Sequence, residues 1–243
     1  MGTPGKVGLV FVSHSADIAR GLVALAGQMA PTAALVAAGG TDDGRIGTSF
    51  DLVSAGIAEA DSGDGVVVLC DLGSAILTAE TALDFLDDDT RARVHIVDAP
   101  LVEGGVAAAV AAESGDPVEA VIRAAESARG APDALGVGTA MAAGGAEPGS
   151  DGDRAGAASG HSRTVTLVNA DGLHARPAAE LVKLAATFPQ RVTVNGADAK
   201  SLLGIMSLGL TKGADVEIAS SDPDGARAVD AIAELAASGF GEG

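Results

Sequence analysis

Four short apolar runs, each followed by a helix-patterned stretch, restrict the first half of this 243-residue chain to one kind of core. Lys6 to Val12, Ala33 to Ala38, Gly65 to Cys70 and Val94 to Val97 read as strands. Helices are expected at 17–29, about 50–60, from the Asp71–Ser74 segment through Phe85, and over about 103–127. Strands apolar along their whole length, alternating with helices, predict a parallel sheet covered on both faces. That is an α/β fold. In such sheets ligands and reacting groups collect at the carboxyl ends of the strands.

Chemistry-bearing residues fall at those ends: His14 after the first run, Thr48 and Ser49 after the second, Asp71 after the third. Loops from neighbouring parallel strands converge, which lets His14 and Asp71 meet. An aspartate accepting one imidazole N–H fixes the tautomer and leaves the other nitrogen nucleophilic. Thr48, Ser49 and Ser74 are then candidates to hold a phosphoryl group on His14. Spacing alone leaves the plainer reading equally open, that these are ordinary polar residues at strand ends. Arg45 reads either as an anion-assisting group near Thr48 or as a solvated loop arginine. His95 is expected to be a satisfied core or edge histidine, His161 a solvated linker residue, Cys70 a small packing residue, and Asp87–Asp89 a solvated turn.

A second histidine is placed differently. Asn169-Ala-Asp-Gly172-Leu-His174-Ala175-Arg176-Pro177-Ala-Ala-Glu180 follows a short apolar run, 165–168, and precedes a helical pattern that reaches Phe188. The first turn of a helix offers unpaired backbone N–H groups, here from Ala175 onward, and the positive end of the macrodipole. Pro177 fits the first turn, where a missing N–H costs nothing. Arg176 supplies a planar fork of donors suited to phosphate. A histidine so placed can carry a phosphoryl group as a labile phosphoramidate. By itself the motif is better described as a capping histidine beside a surface arginine. Around it, strands are expected at 163–169, 191–195 and 214–219 and helices at 175–187, 201–209 and 223–237, an α+β open-faced sandwich. Leu202, Leu203, Ile205 and Met206 are too continuous for one buried helix face, so some of them should form an exposed apolar patch near His174. Ser201 reads chiefly as the N-cap of that helix.

The expected organisation is an α/β domain at 1–128, a flexible linker at 129–162 and the α+β domain at 163–243. The linker is rich in Gly, Ala, Ser, Pro and acid without periodicity, and a random coil of that length spans roughly 30 Å. The net charge is −18. Residues 163–243 hold seven Lys+Arg against ten Asp+Glu, so most of the excess lies before them. An acidic chain without Trp or Tyr offers neither a cationic footprint nor a stacking platform, which argues against nucleic acid or an anionic membrane as partner. No apolar run approaches ~20 residues, and no signal-peptide pattern opens the chain. One cysteine fits a reducing cytoplasm, and no Cys/His cluster has metal-ligand spacing.

Two segments carry family resemblances. Gly172-Leu-His174-Ala-Arg176-Pro177-Ala-Ala, followed by Ala199-Lys-Ser201-Leu-Leu-Gly-Ile-Met-Ser-Leu-Gly209, resembles HPr, the histidine phosphocarriers of the phosphoenolpyruvate-dependent phosphotransferase system. Val12-Ser-His14-Ser-Ala-Asp, Gly39-Gly-Thr-Asp-Asp-Gly-Arg-Ile-Gly-Thr-Ser49, Cys70-Asp71-Leu-Gly-Ser74-Ala and Val97-Asp-Ala-Pro-Leu-Val-Glu-Gly104 resemble the DhaM family. These are the phosphoryl-donor subunits of phosphoenolpyruvate-dependent dihydroxyacetone kinases, of the mannose-type EIIA fold.

The resemblance implies phosphohistidines at His14 (through Nε2) and His174 (through Nδ1), with Asp71 as the hydrogen-bond partner of His14. It implies a homodimer and a route from Enzyme I to His174, then His14, then ADP on a partner kinase. The expected partners are Enzyme I, expected as a separate protein, and the ADP-binding DhaL and substrate-binding DhaK kinase subunits. ADP or ATP and magnesium would reside on the partner, with no cofactor bound by this chain. Ser201 matches a serine that a regulatory kinase modifies in some HPr proteins. Two rival functions stay open at this stage: an EIIA–HPr protein feeding a membrane sugar permease, and a regulatory protein reporting phosphorylation state.

Overall fold

The computed structural model describes residues 5–129, 160–169 and 172–241. Most of the expected linker, 130–159, lies outside the described residues.

The first domain opens with β1 (Gly8–Ser13), α1 (Ala16–Gly27), β2 (Leu35–Gly39), α2 (Phe50–Ala60), β3 (Val66–Cys70) and α3 (Gly73–Asp84). It continues with α4 (Asp88–Arg91), β4 (Val94–Val97), α5 (Leu101–Glu113) and α6 (Val118–Glu126). The four strands are parallel, in the order β2-β1-β3-β4. Every residue of β1 and β3 is buried. Strand alternation divides them between two layers. Leu9, Phe11, Val67 and Leu69 face one layer with residues of α1, α5 and α6, while Val10, Val12, Val66, Val68 and Cys70 face the other, with α2 and α3. Fully burying such a side chain stabilises the fold by about 1.5–3 kcal/mol.

Because β2 lies on one side of β1 and β3 on the other, successive connections leave β1 and β3 in opposite directions. This opens a crevice at their carboxyl ends, the topological switch point of the sheet. Gly39 lets α1 begin hard against β2 there, since a Cβ would lie 2.6 Å from the carbonyl oxygen of Ser15.

One difference from the sequence reading has a local cause. Asp87 caps a short helix, accepting from the N–H and hydroxyl of Thr90, where a solvated turn was expected. The helices expected over 103–127 are α5 and α6, parted at Gly115, whose positive φ lets the chain turn before Pro117.

The second domain comprises β5 (His161–Thr166), α7 (Ala175–Ala186), β6 (Thr193–Val194), β7 (Ala197–Asp198), α8 (Leu202–Ser207), β8 (Asp215–Ser220) and α9 (Ala226–Ala237). Its antiparallel sheet has the order β5-β8-β6-β7. In β8, Val216, Ile218 and Ser220 point inward while Asp215 and Glu217 face solvent, so one face stays open. This is the expected open-faced sandwich. His161 opens β5, paired with Ser220 and bonded through Nε2 to the carbonyl of Pro223 at 2.9 Å, rather than standing in a linker. Among the described residues no helix is long and apolar enough to cross a membrane.

The two domains touch. Helix α5 packs against both α7 and α8.

Candidate functional site

The switch-point crevice brings His14, Asp71 and Ser74 together. Asp71 Oδ1 takes the His14 ring at Nδ1, 2.9 Å away, and the N–H of Leu72 at 2.8 Å. Its Oδ2 accepts from the Ser13 hydroxyl at 2.8 Å and the His14 backbone N–H at 2.9 Å. All the acceptor positions of the carboxylate are thereby used. Burial alone would raise this carboxyl, but the backbone and ring donors of His14 and the Ser13 hydroxyl outweigh it and hold it below its ordinary value. An ionised carboxylate can only accept, so His14 Nδ1 carries the proton. The lone pair is then on Nε2, which lies 2.7 Å from the Ser74 hydroxyl.

Ser74 stands in the first turn of α3, a 12-residue helix whose N-cap, Leu72, makes no side-chain cap. Nε2 therefore faces a helix start, where first-turn N–H groups and the macrodipole favour an anion. The His14 side chain is 20% exposed, enough for a reactant to reach Nε2 but not for the ring to swing freely.

The loop after β2 also reaches this point, though not as expected. The N–H of Gly47 donates to the His14 carbonyl at 2.9 Å, pinning the loop to the histidine backbone. Thr48 bonds the Thr78 hydroxyl at 2.8 Å, and Thr78 bonds the carbonyl of Ser74 one turn earlier. Thr48 thus braces α3 through Thr78, where a direct hold on the phosphoryl group was expected. Ser49 turns away: it caps α2 through the N–H of Leu52 and donates to Asp42. Arg45 pairs with Asp43 in the loop. Cys70 is buried, which pushes its thiol up to about 12, as suits a packing residue.

Sequence reasoning gave no role to Ser13. It is completely buried, and besides holding Asp71 it accepts the N–H of Ser15. Its signal was a hydroxyl closing an otherwise apolar strand. Thr78 was missed as well, because its role exists only through α3 and the loop together.

His174 occupies the N-cap position of α7 with extended backbone, and its side chain makes no cap bond. The ring is thus placed at the helix start and does not serve as its cap. Gly172 has φ +69, and a Cβ there would lie 2.2 Å from the Leu210 carbonyl. The same carbonyl accepts the N–H of Leu173 at 2.8 Å, and Asn169 bonds the Gly172 carbonyl, so the loop is fixed from both sides. Ala175 opens the helix, and Arg176 extends into solvent, 67% exposed, with Glu180 loosely placed at 3.9 Å. Ser201 is the N-cap of α8, accepting the N–H of Gly204 at 3.1 Å. The patch expected beyond it is not open. Leu202 and Ile205 are buried and Leu203 and Met206 half-buried, because α8 lies on α7 on one side and α5 on the other.

Comparison with known proteins follows the same division. The family model for the "PTS system fructose IIA component" matches residues 8–122, and that for the "PTS HPr component phosphorylation site" matches 161–238. Over 118 residues the chain is 40% identical to the phosphoryl donor subunit DhaM of a PEP-dependent dihydroxyacetone kinase 2 from Listeria innocua, covering 94% of that protein and 48% of this one. The chain belongs to the DhaM family. A longer DhaM subunit from Providencia stuartii is 35% identical over 97% of this chain and 50% of its own length. The chain thus spans about half the length of the long relatives it matches across both domains. The second domain is 42% identical over 85 residues to the phosphocarrier protein HPr of Cupriavidus necator, covering 33% of this chain and 96% of that protein.

Proposed function

We propose that the chain is a two-histidine phosphoryl relay that accepts a phosphoryl group at His174 and delivers it from His14 to ADP on a dihydroxyacetone kinase. The observation that carries this reading is the clamp on His14: Nδ1 is bound to a fully occupied carboxylate, and Nε2 is presented at the start of α3. A group carrier needs a nucleophile of fixed tautomer, a site for the charged cargo and access for donor and acceptor.

Enzyme I, charged by phosphoenolpyruvate, donates to Nδ1 of His174, where Arg176 and the N–H of Ala175 meet the phosphoryl oxygens. In the second step the P–N bond at His174 breaks as Nε2 of His14 attacks phosphorus in line. Ser74 and the first-turn N–H groups of α3 then neutralise the transferred group, and Asp71 stabilises the ring as it gains positive charge. In the third step the terminal oxygen of ADP takes the group from His14. The nucleotide and its magnesium are held by the DhaL-type subunit, and dihydroxyacetone by the DhaK-type subunit. The protein works in the cytoplasm and, as the family resemblance implies, as a homodimer.

Joining both carriers in one chain raises their mutual concentration to roughly millimolar, within a chain or across a dimer. Ile46 and Leu72, exposed beside the His14 loops, supply an apolar rim for the receiving subunit. Thr48 and Ser49 act as braces of this rim, and Ser201 as a helix cap.

The order is tested with labelled phosphoenolpyruvate and Enzyme I. His174→Ala should leave His14 unlabelled, and separately added HPr should restore the label. Efficient labelling of His14 in that variant without added HPr would refute the relay. Reconstitution with the kinase subunits, ADP and dihydroxyacetone completes the test: His14→Ala should abolish dihydroxyacetone phosphate, and unchanged flux would instead indicate a regulatory protein.

A further inference from the structure

Helix α5 has no solvent face of ordinary size. From Gly104 through Ala112 every residue is buried, in the sequence Gly-Gly-Val-Ala-Ala-Ala-Val-Ala-Ala. A helix apolar all round has to be covered on every side. The sheet and α1 cover one side and α6 another. The remaining side is covered by the second domain. Ala107, Val110 and Ala111 look across a cleft of about 460 Å³ at Val182 of α7 and Leu202 of α8.

Charge runs across the same boundary. Asp116 of the first domain faces Lys200 of the second, and both they and Arg123 line the cleft beside Ser201. Lys183 of α7 lies near Glu113 and Lys6 of the first domain; burial pushes its ammonium down, with Glu113 opposing. An acidic first domain thus meets lysines of the second around an apolar centre.

This covered face adjoins His174. Val182 is eight residues beyond it on α7, roughly 12 Å along the helix. A protein partner covers about 800 Å² on each side of an interface, a disc about 16 Å in radius. One centred on His174 therefore extends onto Val182 and α8, the surface that α5 already occupies.

We propose that this contact is a self-docked resting form, and that the α7–α8 face has to leave α5 and α6 before a protein donor can charge His174. The inference rests on the reading of His174 as the entry point for phosphate. Docking of this kind taxes charging by the fraction of chains that are open, and a charged donor competes for the same face.

The test uses the full chain with Ala120→Cys and Ala186→Cys, two positions that line the cleft from opposite domains. Cys70, buried and with its thiol raised to about 12, stays out of the reaction. A cleavable bismaleimide should join the two within one chain. The locked protein should be charged at His174 by Enzyme I at least about tenfold more slowly than the unlocked one, with recovery on cleavage. Equal rates, or a bridge that forms only between two chains, would overturn the proposal, the second showing that another copy covers α5. Amide hydrogen exchange gives a readout independent of phosphate. Glu113→Lys with Asp116→Lys should speed exchange in α8, and unchanged protection there also overturns the docking. Failure of Enzyme I to charge even the unlocked chain would instead refute the relay, with α8 exchange still deciding the docked form.

Discussion

His14 and His174 both stand where a strand gives way to a helix, yet they are held by opposite means. His14 is fixed by side chains: a carboxylate from the end of the neighbouring strand takes one ring nitrogen, and a serine from the helix start three residues further on meets the other. His174 is fixed by backbone, through a glycine-dependent loop pinned to Leu210 and the start of α7, with a solvent-exposed arginine beside it. A site built by three converging loops has its tautomer and cargo pocket set in advance. A site built on one helix start and a backbone-pinned loop has no pocket shaped for one recipient, and once the α7–α8 face leaves α5 it suits several docking partners in turn. The difference teaches why a relay would keep two histidines: one accessible to a general donor, the other shaped for a single recipient.

The largest effect should come from removing each ring. His14→Ala should abolish delivery to the kinase while leaving His174 chargeable, and His174→Ala should abolish charging of the chain while leaving His14 competent toward added HPr. Quantifying phosphohistidine at each position by mass spectrometry at acid-free pH checks both halves. If His14→Ala also prevented charging at His174, the two sites would not be independent, and the contrast drawn above would fail.

Next in size is the carboxylate. Asp71→Asn keeps the shape but replaces an obligate acceptor with a group that also donates, so the proton need no longer reside on Nδ1. Transfer into and out of His14 should fall by roughly 10²–10⁴-fold, the range found when general-base orientation is lost. Nitrogen-15 NMR of the imidazole should show a mixture of tautomers. His174 charging should stay unchanged; a parallel loss there would mean that Asp71 serves the fold rather than the ring.

The arginine comes third. Arg176→Lys retains charge but loses the planar fork, and a lost charged hydrogen bond is worth about 1.5–3 kcal/mol. At the lower end this predicts about a tenfold slower charging of His174 by Enzyme I. Delivery from pre-charged His14 should not change.

Much of this arrangement was legible in the sequence because its signals are local. Runs such as Val66 to Cys70 have one stable use, as buried parallel strands, and the polar residues that end them had to gather at one edge of the sheet. His14, Asp71 and Ser74 met as the topology required. What stayed hidden depends on contacts between segments. Ser49 looked as available as Ser74, but only the fold shows that α2 and Asp42 use its hydroxyl. The α8 patch looked exposed because its periodicity counts one buried face, and no local pattern shows that α5 covers a second. One local signal was passed over: Asn195-Gly196, both with positive φ, forms the two-residue turn that joins β6 to the short β7.

The smallest effect is on stability, and it sharpens the contrast from the side of the clamp. Asp61 is held below its ordinary value by its bond to Arg93. Asp71 and Glu113 end there too: burial raises each, but for Asp71 the donors of His14 and Ser13, and for Glu113 those of Thr32 and Lys6, win. All three lie in the first domain. A carboxyl with a lower folded than unfolded pKa binds fewer protons when folded. Its contribution is complete above the unfolded value, near 4, and is lost as pH falls through the folded value. The melting temperature of the first domain should therefore be nearly level from these groups above about pH 5 and drop steadily below about pH 4. Asp71→Asn removes one of the three, so its acid limb should be shallower than the parent's in calorimetric scans between about pH 5 and pH 2. An identical slope would show that the clamp on His14 is held by the rest of the fold and returns nothing to it.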